Sequence, residues 1–121
     1  MKINRALLKD GVSKTFEDSI DFSSIELNPS HVRKIVNCDV VAEAVDYDSL
    51  LYVKLHIKSL VIGVCSYSLE DVELNLEIED ELNFSDDEED VDNYYEKGNL
   101  INLDSYILGI LLTTMFYSKS L

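Results

Sequence analysis

Few side chains of the kinds that carry out catalysis or bind metals occur in this sequence: the histidines His31 and His56 and the cysteines Cys38 and Cys65. Nucleophilic catalysis needs a base held beside the nucleophile and a group that orients the base. Neither histidine stands at a recognisable spacing for such an arrangement. The four side chains also lack the paired short spacing of a zinc site, and the glycines form no phosphate-binding loop. The sequence therefore predicts a protein that is not an enzyme and that holds no metal or cofactor.

A run of carboxylates offers a second kind of chemistry, because calcium prefers closely spaced oxygen ligands. The helix–loop–helix calcium pattern needs a glycine at its sixth position and a glutamate at its twelfth. Counted from Asp86, those positions hold Val91 and Lys97. The pattern favours a solvated loop, and a surface that docks a basic partner stays open as an alternative. The acids offered to such a partner are Asp86, Asp87, Glu88, Glu89, Asp90 and Asp92.

A third set of side chains recurs at every second residue: Tyr52, Lys54, His56 and Lys58. On a strand these residues share one face, and a basic, partly aromatic face can stack bases and contact phosphates of RNA. They can instead pair with acids of a neighbouring strand. The second interpretation is favoured, because Glu77 and Glu79 are available as partners and would repel RNA.

The net charge of the protein belongs to one segment. The 121 residues carry a formal net charge of −14, from 24 acidic and 10 basic side chains. Fourteen of the acids and none of the bases lie between Glu70 and Glu96, so the rest of the chain is neutral. We call residues 70–96 the acidic segment. Its charge excludes the simplest nucleic-acid binder, a domain wrapped in Lys and Arg, and disfavours an anionic membrane as partner.

The length fits one domain, residues 1–121, and 46% hydrophobic with 28% charged residues is typical of a globular chain. The longest uncharged stretch, residues 105–118, is shorter than the roughly 20 residues of a membrane-spanning helix. The first residues contain an apolar run too short for a signal peptide, and two cysteines make no disulfide framework. We therefore expect a cytoplasmic protein with reduced thiols.

Alternation of apolar and polar residues predicts the strands that position these groups. Over residues 15–22, Phe16, Ile20 and Phe22 share one parity. Extended segments are predicted over residues 3–8, 15–22 and 35–47, and turns or breaks at 10–11, 28–30 and 46–49.

The best-defined element is a long antiparallel hairpin with strands over about 50–64 and 69–84. A tip at residues 65–68 sets a register that pairs apolar residues with apolar ones on one face and basic residues with acidic ones on the other. That register places Val61 opposite Val72, Ile57 opposite Leu76, Leu55 opposite Ile78, Lys54 opposite Glu79 and His56 opposite Glu77. The apolar parity changes beyond Ser59, which predicts either a bulge or a hairpin end covered on both faces.

Residues 85–99 are polar and acidic and are expected to form a mobile loop that ends in a Gly98–Asn99 turn. We call them the acidic loop. Apolar residues then recur at helical spacing, which predicts a helix over about 104–117 with Asp104, or else Asn102, as its N-cap. This helix is apolar nearly all round, so the sheet should cover most of its sides. The predicted fold class is α+β, mainly an antiparallel sheet packed by a C-terminal helix.

The hairpin tip resembles the signature of a known family. Residues 65–70, Cys-Ser-Tyr-Ser-Leu-Glu, are similar to the Cys-x-Arg-Cys-Leu-Glu signature of the YceD-like proteins, the large ribosomal RNA subunit accumulation proteins of bacteria and plastids. In that family the signature closes one strand and opens the next, and an acidic stretch and an Ile-Asp-Leu-like element follow. Residues 73–84, 86–92 and 101–103 stand in the same order here. Tyr67 and Ser68 replace the Arg and the second Cys, Asn102 replaces the Asp, and the Cys-rich tail of many members is absent.

The resemblance implies a non-enzymatic role in the accumulation or maturation of large-subunit ribosomal RNA. Its partner would be a basic ribosomal protein or a pre-ribosomal particle, and Cys65 and Tyr67 would belong to the partner-binding surface together with the acids of residues 86–92. RNA contact could occur through the basic strand face or through Arg33 and Lys34. Docking of a basic protein on the acidic segment agrees better with the charge.

An alternative from a different class is an acidic interaction domain, or an inhibitor that mimics nucleic acid towards a basic enzyme. This alternative predicts acids spaced like phosphates along a rigid surface.

Overall fold

The computed structural model describes residues 1–25, 27, 32–65 and 67–117. Along the chain they form β1 (Lys2–Asn4), a 3₁₀ turn (Arg5–Leu7), β2 (Lys14–Ser19), β3 (Val32–Tyr47), β4 (Leu50–Val64), β5 (Asp71–Ser85), β6 (Tyr94–Tyr95), β7 (Leu100–Asn102) and α1 (Asp104–Tyr117). One sheet has the order β2-β3-β4-β5-β6, and β1 pairs with β7 in a second, two-stranded sheet. The predicted α+β class is confirmed. The break predicted at residues 28–30 lies outside the described residues.

Strand β4 is the centre of the sheet, with β3 and β5 antiparallel on either side. Its odd-numbered residues from Leu51 to Gly63 are buried and its even-numbered ones are not, so one face of the sheet supports the core. Asp48 and Ser49, both with positive φ, form the two-residue turn between β3 and β4. Two left-handed residues match the twist of a tight hairpin, so the turn predicted at residues 46–49 is confirmed.

The predicted register of the β4–β5 hairpin is wrong by two residues. The observed pairs are Val61 with Leu74, Ile57 with Ile78, Leu55 with Asp80, Lys54 with Glu81 and His56 with Glu79. A pattern of period two is unchanged by a shift of two residues, so each side chain keeps its predicted face. The cause is a longer tip: the Cys65 N–H donates to the Glu70 carbonyl and the Leu69 N–H to the Cys65 carbonyl.

The end of β4 next to the hairpin tip has covered or partly covered residues on both faces. This confirms the second alternative for the parity change beyond Ser59, a hairpin end covered on both faces. Ser59, Val61 and Gly63 are buried, and the even-numbered residues from Leu60 to Val64 are half-buried. The β4–β5 register runs unbroken from Leu50 to Val64. The register shifts lie in β3 instead, near Val32–Lys34 and Ile35–Asn37.

Helix α1 has the predicted bounds, and one of its sides is exposed. Ile107 and Leu111 are buried in the same core as the odd-numbered residues of β4. Ser105, Gly109 and Thr113 are exposed along one side of the helix. Residues four apart share a helix face, and this face carries small and hydroxyl-bearing residues.

The first turn of α1 is capped by Asn102, the second of the two predicted candidates. The Asp104 N–H donates to Asn102 Oδ1 at 3.0 Å. Asp104 is the first residue of the helix, and its carboxylate pairs with the amino group of Met1 instead of capping. The Ile107 N–H donates to the Leu103 carbonyl, so the helical hydrogen bonding begins one residue before Asp104, the first candidate for the N-cap.

The N-terminal segment is attached to the end of the sheet that carries the β3–β4 turn. The strand predicted over residues 3–8 is shorter, because the 3₁₀ turn replaces its second half, and Ile3 pairs with Ile101 of β7. The Arg5 guanidinium makes two hydrogen bonds to the Asp46 carboxylate, Nη2–Oδ1 at 2.8 Å and Nε–Oδ2 at 3.2 Å. The side chains are only 9% and 23% exposed, so this is a largely buried ion pair.

Candidate binding surface

The basic side chains of β4 lie on the outer face of the sheet between two rows of acids. Lys54 stands between Glu43 of β3 and Glu81 of β5, and Lys58 stands between Asp39 and Glu77 in the same way. The structure therefore brings the predicted RNA-facing row together, but with acids on both sides of each lysine. Opposite charges across strands stabilise a register and reduce the positive potential available to a phosphate.

His56 contacts the side chains of two glutamates of β5. Its Nε2 lies 3.0 Å from Glu77 Oε1 and its Nδ1 lies 3.4 Å from Glu79 Oε1. Both ring nitrogens thus face carboxylates and not a nucleophile, which is the geometry of cross-strand pairing. His31, the other histidine, lies outside the described residues.

The first half of the acidic segment lies mainly on β5, where the acidic side chains have a regular spacing. Glu77, Glu79 and Glu81 are exposed on the outer face, and consecutive members of this row are roughly 6.6 Å apart because a strand rises about 3.3 Å per residue. Asp80 is also exposed, although its neighbours Ile78 and Leu82 pack against the core. The negative charge is therefore fixed on a regular strand over this part of the segment.

The acidic loop uses several of its carboxylates for local turns. Asp87 Oδ1 accepts from the Glu89 N–H and Asp90 Oδ1 accepts from the Asp92 N–H, each at 3.0 Å. The pKa of Asp90 is lowered by the hydrogen bond from the Asn93 side chain and by that from the Asp92 backbone. Within the described part of the chain no group of three or more His, Cys, Asp and Glu side chains is placed to hold a metal ion.

Three aromatic rings join the acidic loop to the core. Phe84 and Tyr106 have ring centroids 5.1 Å apart, and Tyr94 lies 5.2 Å from Tyr106. The Tyr106 hydroxyl donates to Glu96 Oε1 at 2.7 Å. Burial and this carboxylate raise the pKa of Tyr106 to about 12. Sequence reasoning missed the cluster, because Tyr94 belongs to a polar segment with no periodic pattern.

A groove of about 650 Å³ runs between the outer edge of β5 and α1. Its apolar and aromatic lining comes from Ile78, Leu82, Tyr94, Tyr106 and Ile110, with Gly109 on the helix side. Acids of β5 form its rim, including Glu79 and Glu81. No sequence pattern gives the distance between a helix and a strand edge, so the groove was not predicted.

The hairpin tip is far from the acidic loop. Tyr67 is 91% exposed, and Leu69 beside it is exposed with a positive φ. The pKa of the half-buried Cys65 thiol is lowered by hydrogen bonds from the hydroxyl and the backbone of Ser68. Strand β5 separates the tip from residues 86–92 by about 45 Å at the usual rise per residue. The structure therefore divides the predicted partner-binding residues into two distant sets.

Comparisons with protein-family models, with characterised proteins and with solved structures give no match for this chain. None of the helices among the described residues is long and apolar enough to cross a membrane.

Proposed function

We propose that this protein is a non-enzymatic binding protein of the cytoplasm whose acidic segment docks a basic partner. The observation that carries the proposal is the placement of fourteen acids, without one base, in residues 70–96, which span β5 and most of the acidic loop. Such a concentration of one charge speeds the encounter with an oppositely charged surface and discriminates against acidic partners.

The resemblance of residues 65–70 to the YceD-like signature supports a particular partner. In this proposal it is a basic ribosomal protein or a pre-ribosomal particle, and the protein supports accumulation and maturation of large-subunit ribosomal RNA. A protein partner is favoured over RNA because Lys54 and Lys58 each lie between two acids.

A second candidate function is mimicry of nucleic acid towards a basic enzyme. One observation favours it: Glu77, Glu79 and Glu81 repeat every roughly 6.6 Å along a regular strand, close to the spacing of phosphates in an extended nucleic-acid chain. A mimic competes with nucleic acid for its target, whereas an assembly factor is recovered together with ribosomal components.

Affinity purification from the native cell, followed by identification of bound proteins and RNA, tests the proposal. The test variant replaces four acids of the loop by their amides: Asp86→Asn, Asp87→Asn, Glu88→Gln and Glu89→Gln. A matched control neutralises four exposed acids elsewhere: Asp10→Asn, Glu17→Gln, Glu43→Gln and Asp48→Asn. We expect ribosomal proteins with the wild type and the control, and at least tenfold less with the test variant.

Two results would contradict the proposal. Recovery of neither ribosomal proteins nor ribosomal RNA would end the ribosomal role. Direct RNA binding that falls steeply with salt and survives neutralisation of the loop would end the docking mechanism, because counterion release then comes from lysines and arginines of the neutral body.

A further inference from the structure

The five-stranded sheet has an open edge along β5. Among the described residues, only β6 pairs with that edge, at Phe84 and Ser85. The Glu96 N–H donates to the Ser85 carbonyl at 3.0 Å, so the backbone of Ser85 points outward. Backbone groups of a strand alternate in direction, and the β4–β5 register is unbroken, so Glu77, Glu79 and Glu81 also direct their N–H and C=O groups away from β4. The Glu81 N–H already donates to the Asp80 carboxylate at 2.8 Å, a contact that a docked strand has to displace.

Beside this edge, α1 carries a glycine that internal packing does not require. A Cβ atom built on Gly109 would meet nothing within 4 Å. Glycine is disfavoured in the interior of a helix, yet Gly109 lies in the middle of α1 and faces the groove. Its bare backbone leaves room for another chain to approach between the helix and β5.

The two faces of the open edge have different chemistry. On the outer face stand Glu77, Glu79 and Glu81, while the groove side is lined by Ile78 and Ile110 with one carboxylate, Asp80. Successive side chains of an added strand point to opposite faces. A strand that pairs with β5 would therefore place every second side chain against carboxylates and the others in an apolar groove.

A second copy of this chain is a poor occupant, because β5 against β5 would bring acids opposite acids across the strands. We infer that the open edge of β5 and the adjoining groove bind an extended segment of a partner protein in which basic and apolar residues alternate. The inference rests on the proposed function and specifies how the basic partner docks: backbone hydrogen bonds extend the sheet, lysines or arginines meet the β5 acids, and apolar side chains enter the groove.

The test uses the full chain and fluorescently labelled peptides of about ten residues, the length of a long strand. One peptide alternates lysine with valine. A second has the same charge with proline in place of valine, whose fixed φ and missing N–H disfavour a paired strand. We expect the lysine–valine peptide to bind at least tenfold more tightly, measured by fluorescence anisotropy, and to shift the amide resonances of Glu77, Glu79 and Glu81.

Two variants separate the edge from the groove. Glu79→Pro removes an outward N–H, and its matched control is Glu17→Pro at the other edge of the sheet. The Ile20 N–H donates to the Cys38 carbonyl of β3, so Glu17 of β2, three residues away, also points its N–H outward. Gly109→Phe fills the groove, and Gly109→Ala measures the effect of a better helix former. We expect Glu79→Pro and Gly109→Phe each to weaken binding at least tenfold, and Glu17→Pro to leave it unchanged.

Circular dichroism establishes whether each variant is folded. If Glu79→Pro is unfolded, the binding measured with Gly109→Phe decides the test alone. Equal binding of the two peptides would overturn the inference and leave the charge-based docking intact. Binding of neither peptide would overturn both. A homodimer that Glu79→Pro dissociates, measured by analytical ultracentrifugation, would assign the edge to a second copy and overturn the inference alone.

Discussion

The two ends of the sheet are held together by different means. At the turn end, which carries the Asp48–Ser49 turn, a largely buried pair joins Arg5 to Asp46, and the aromatic cluster packs around Phe84. At the tip end, beyond Val64, Tyr67 and Leu69 are exposed. The ion pair there, Arg33 with Asp71, is 43% and 64% exposed.

The difference separates the part of the molecule that supplies stability from the part that is available for contacts. Both ends share strands β3, β4 and β5, so the contrast comes from what covers the strands and not from the strands themselves. At the turn end the sheet is contacted by Arg5 of the N-terminal segment and by Tyr106 of α1, whereas the open edge of β5 runs towards the tip.

The largest expected effect comes from truncating Phe84 at the turn end. Phe84→Ala removes a fully buried ring in contact with Tyr94 and Tyr106, and should lower the free energy of unfolding by about 4 kcal/mol. Val72→Ala, on the same strand at the tip end, should cost only about 0.5 kcal/mol because Val72 is 37% exposed. Urea unfolding followed by circular dichroism measures both; similar values would remove the contrast between the ends.

Breaking the Arg5–Asp46 pair should have the next largest effect. Arg5→Ala leaves a mostly covered carboxylate without its partner and should cost about 3 kcal/mol. Arg5→Lys keeps the charge but loses the two-point contact, so it should cost less. The double variant Arg5→Ala/Asp46→Ala completes a thermodynamic cycle. A coupling energy near zero would show that the pair does not hold the N-terminal segment.

The Cys38 thiol lies in the core between the two ends and predicts a dependence on alkaline pH. Burial, followed by the charges of Asp39 and Asp104, raises the pKa of Cys38 from 9.0 to about 11. The unfolded chain therefore loses this proton at lower pH than the folded one, and the free energy of unfolding falls between pH 9 and 11. The loss should be about 2 kcal/mol relative to Cys38→Ala. A constant difference between the two proteins over this range would contradict the prediction.

The turn between β3 and β4 contains a strained residue whose replacement should stabilise the turn end. Ser49 has a φ of 66°, a conformation in which a residue with a Cβ is strained. Ser49→Gly should raise the free energy of unfolding by about 1 kcal/mol, and Ser49→Ala should not. Thermal unfolding of the three proteins measures the difference. A gain with alanine would show that strain at Ser49 is not the cause.

The smallest effect is expected at the exposed pair of the tip end. Arg33→Ala should lower the free energy of unfolding by about 0.3 kcal/mol, and less at raised salt, because both side chains are well exposed. A cost comparable with that of Arg5→Ala would show that the tip end is as tightly held as the turn end.

The long elements of this fold follow from local pattern alone. Strand β4 and helix α1 appear at the predicted bounds, because alternation over residues 51–58 and helical spacing over fourteen residues are strong signals. The hairpin register does not follow from the pattern, since a shift of two residues leaves it unchanged. The length of the tip decides the register, and it depends on the positive φ of Leu69.

The site was predictable to a smaller extent. Charge counting locates the acidic segment, and alternation assigns Glu77 and Glu79 to the face of His56. Lys54 and Lys58 also pair with acids of β3. The sequence does not show which strand lies on that side of β4, because this depends on tertiary pairing. The groove requires the position of α1 relative to β5, and the pairing of β1 with β7 joins segments nearly a hundred residues apart. Neither leaves a local signal.

The short strand β6 also limits the size of what the open edge can accept. Tyr94 and Tyr95 occupy the edge at Phe84 and Ser85, so an added strand has to stop at Asn83. From Asp71 to Asn83 the edge measures about 40 Å at the usual rise per residue. A docked segment therefore has a fixed boundary and a maximum of about a dozen residues. Selection by length would act together with selection by charge.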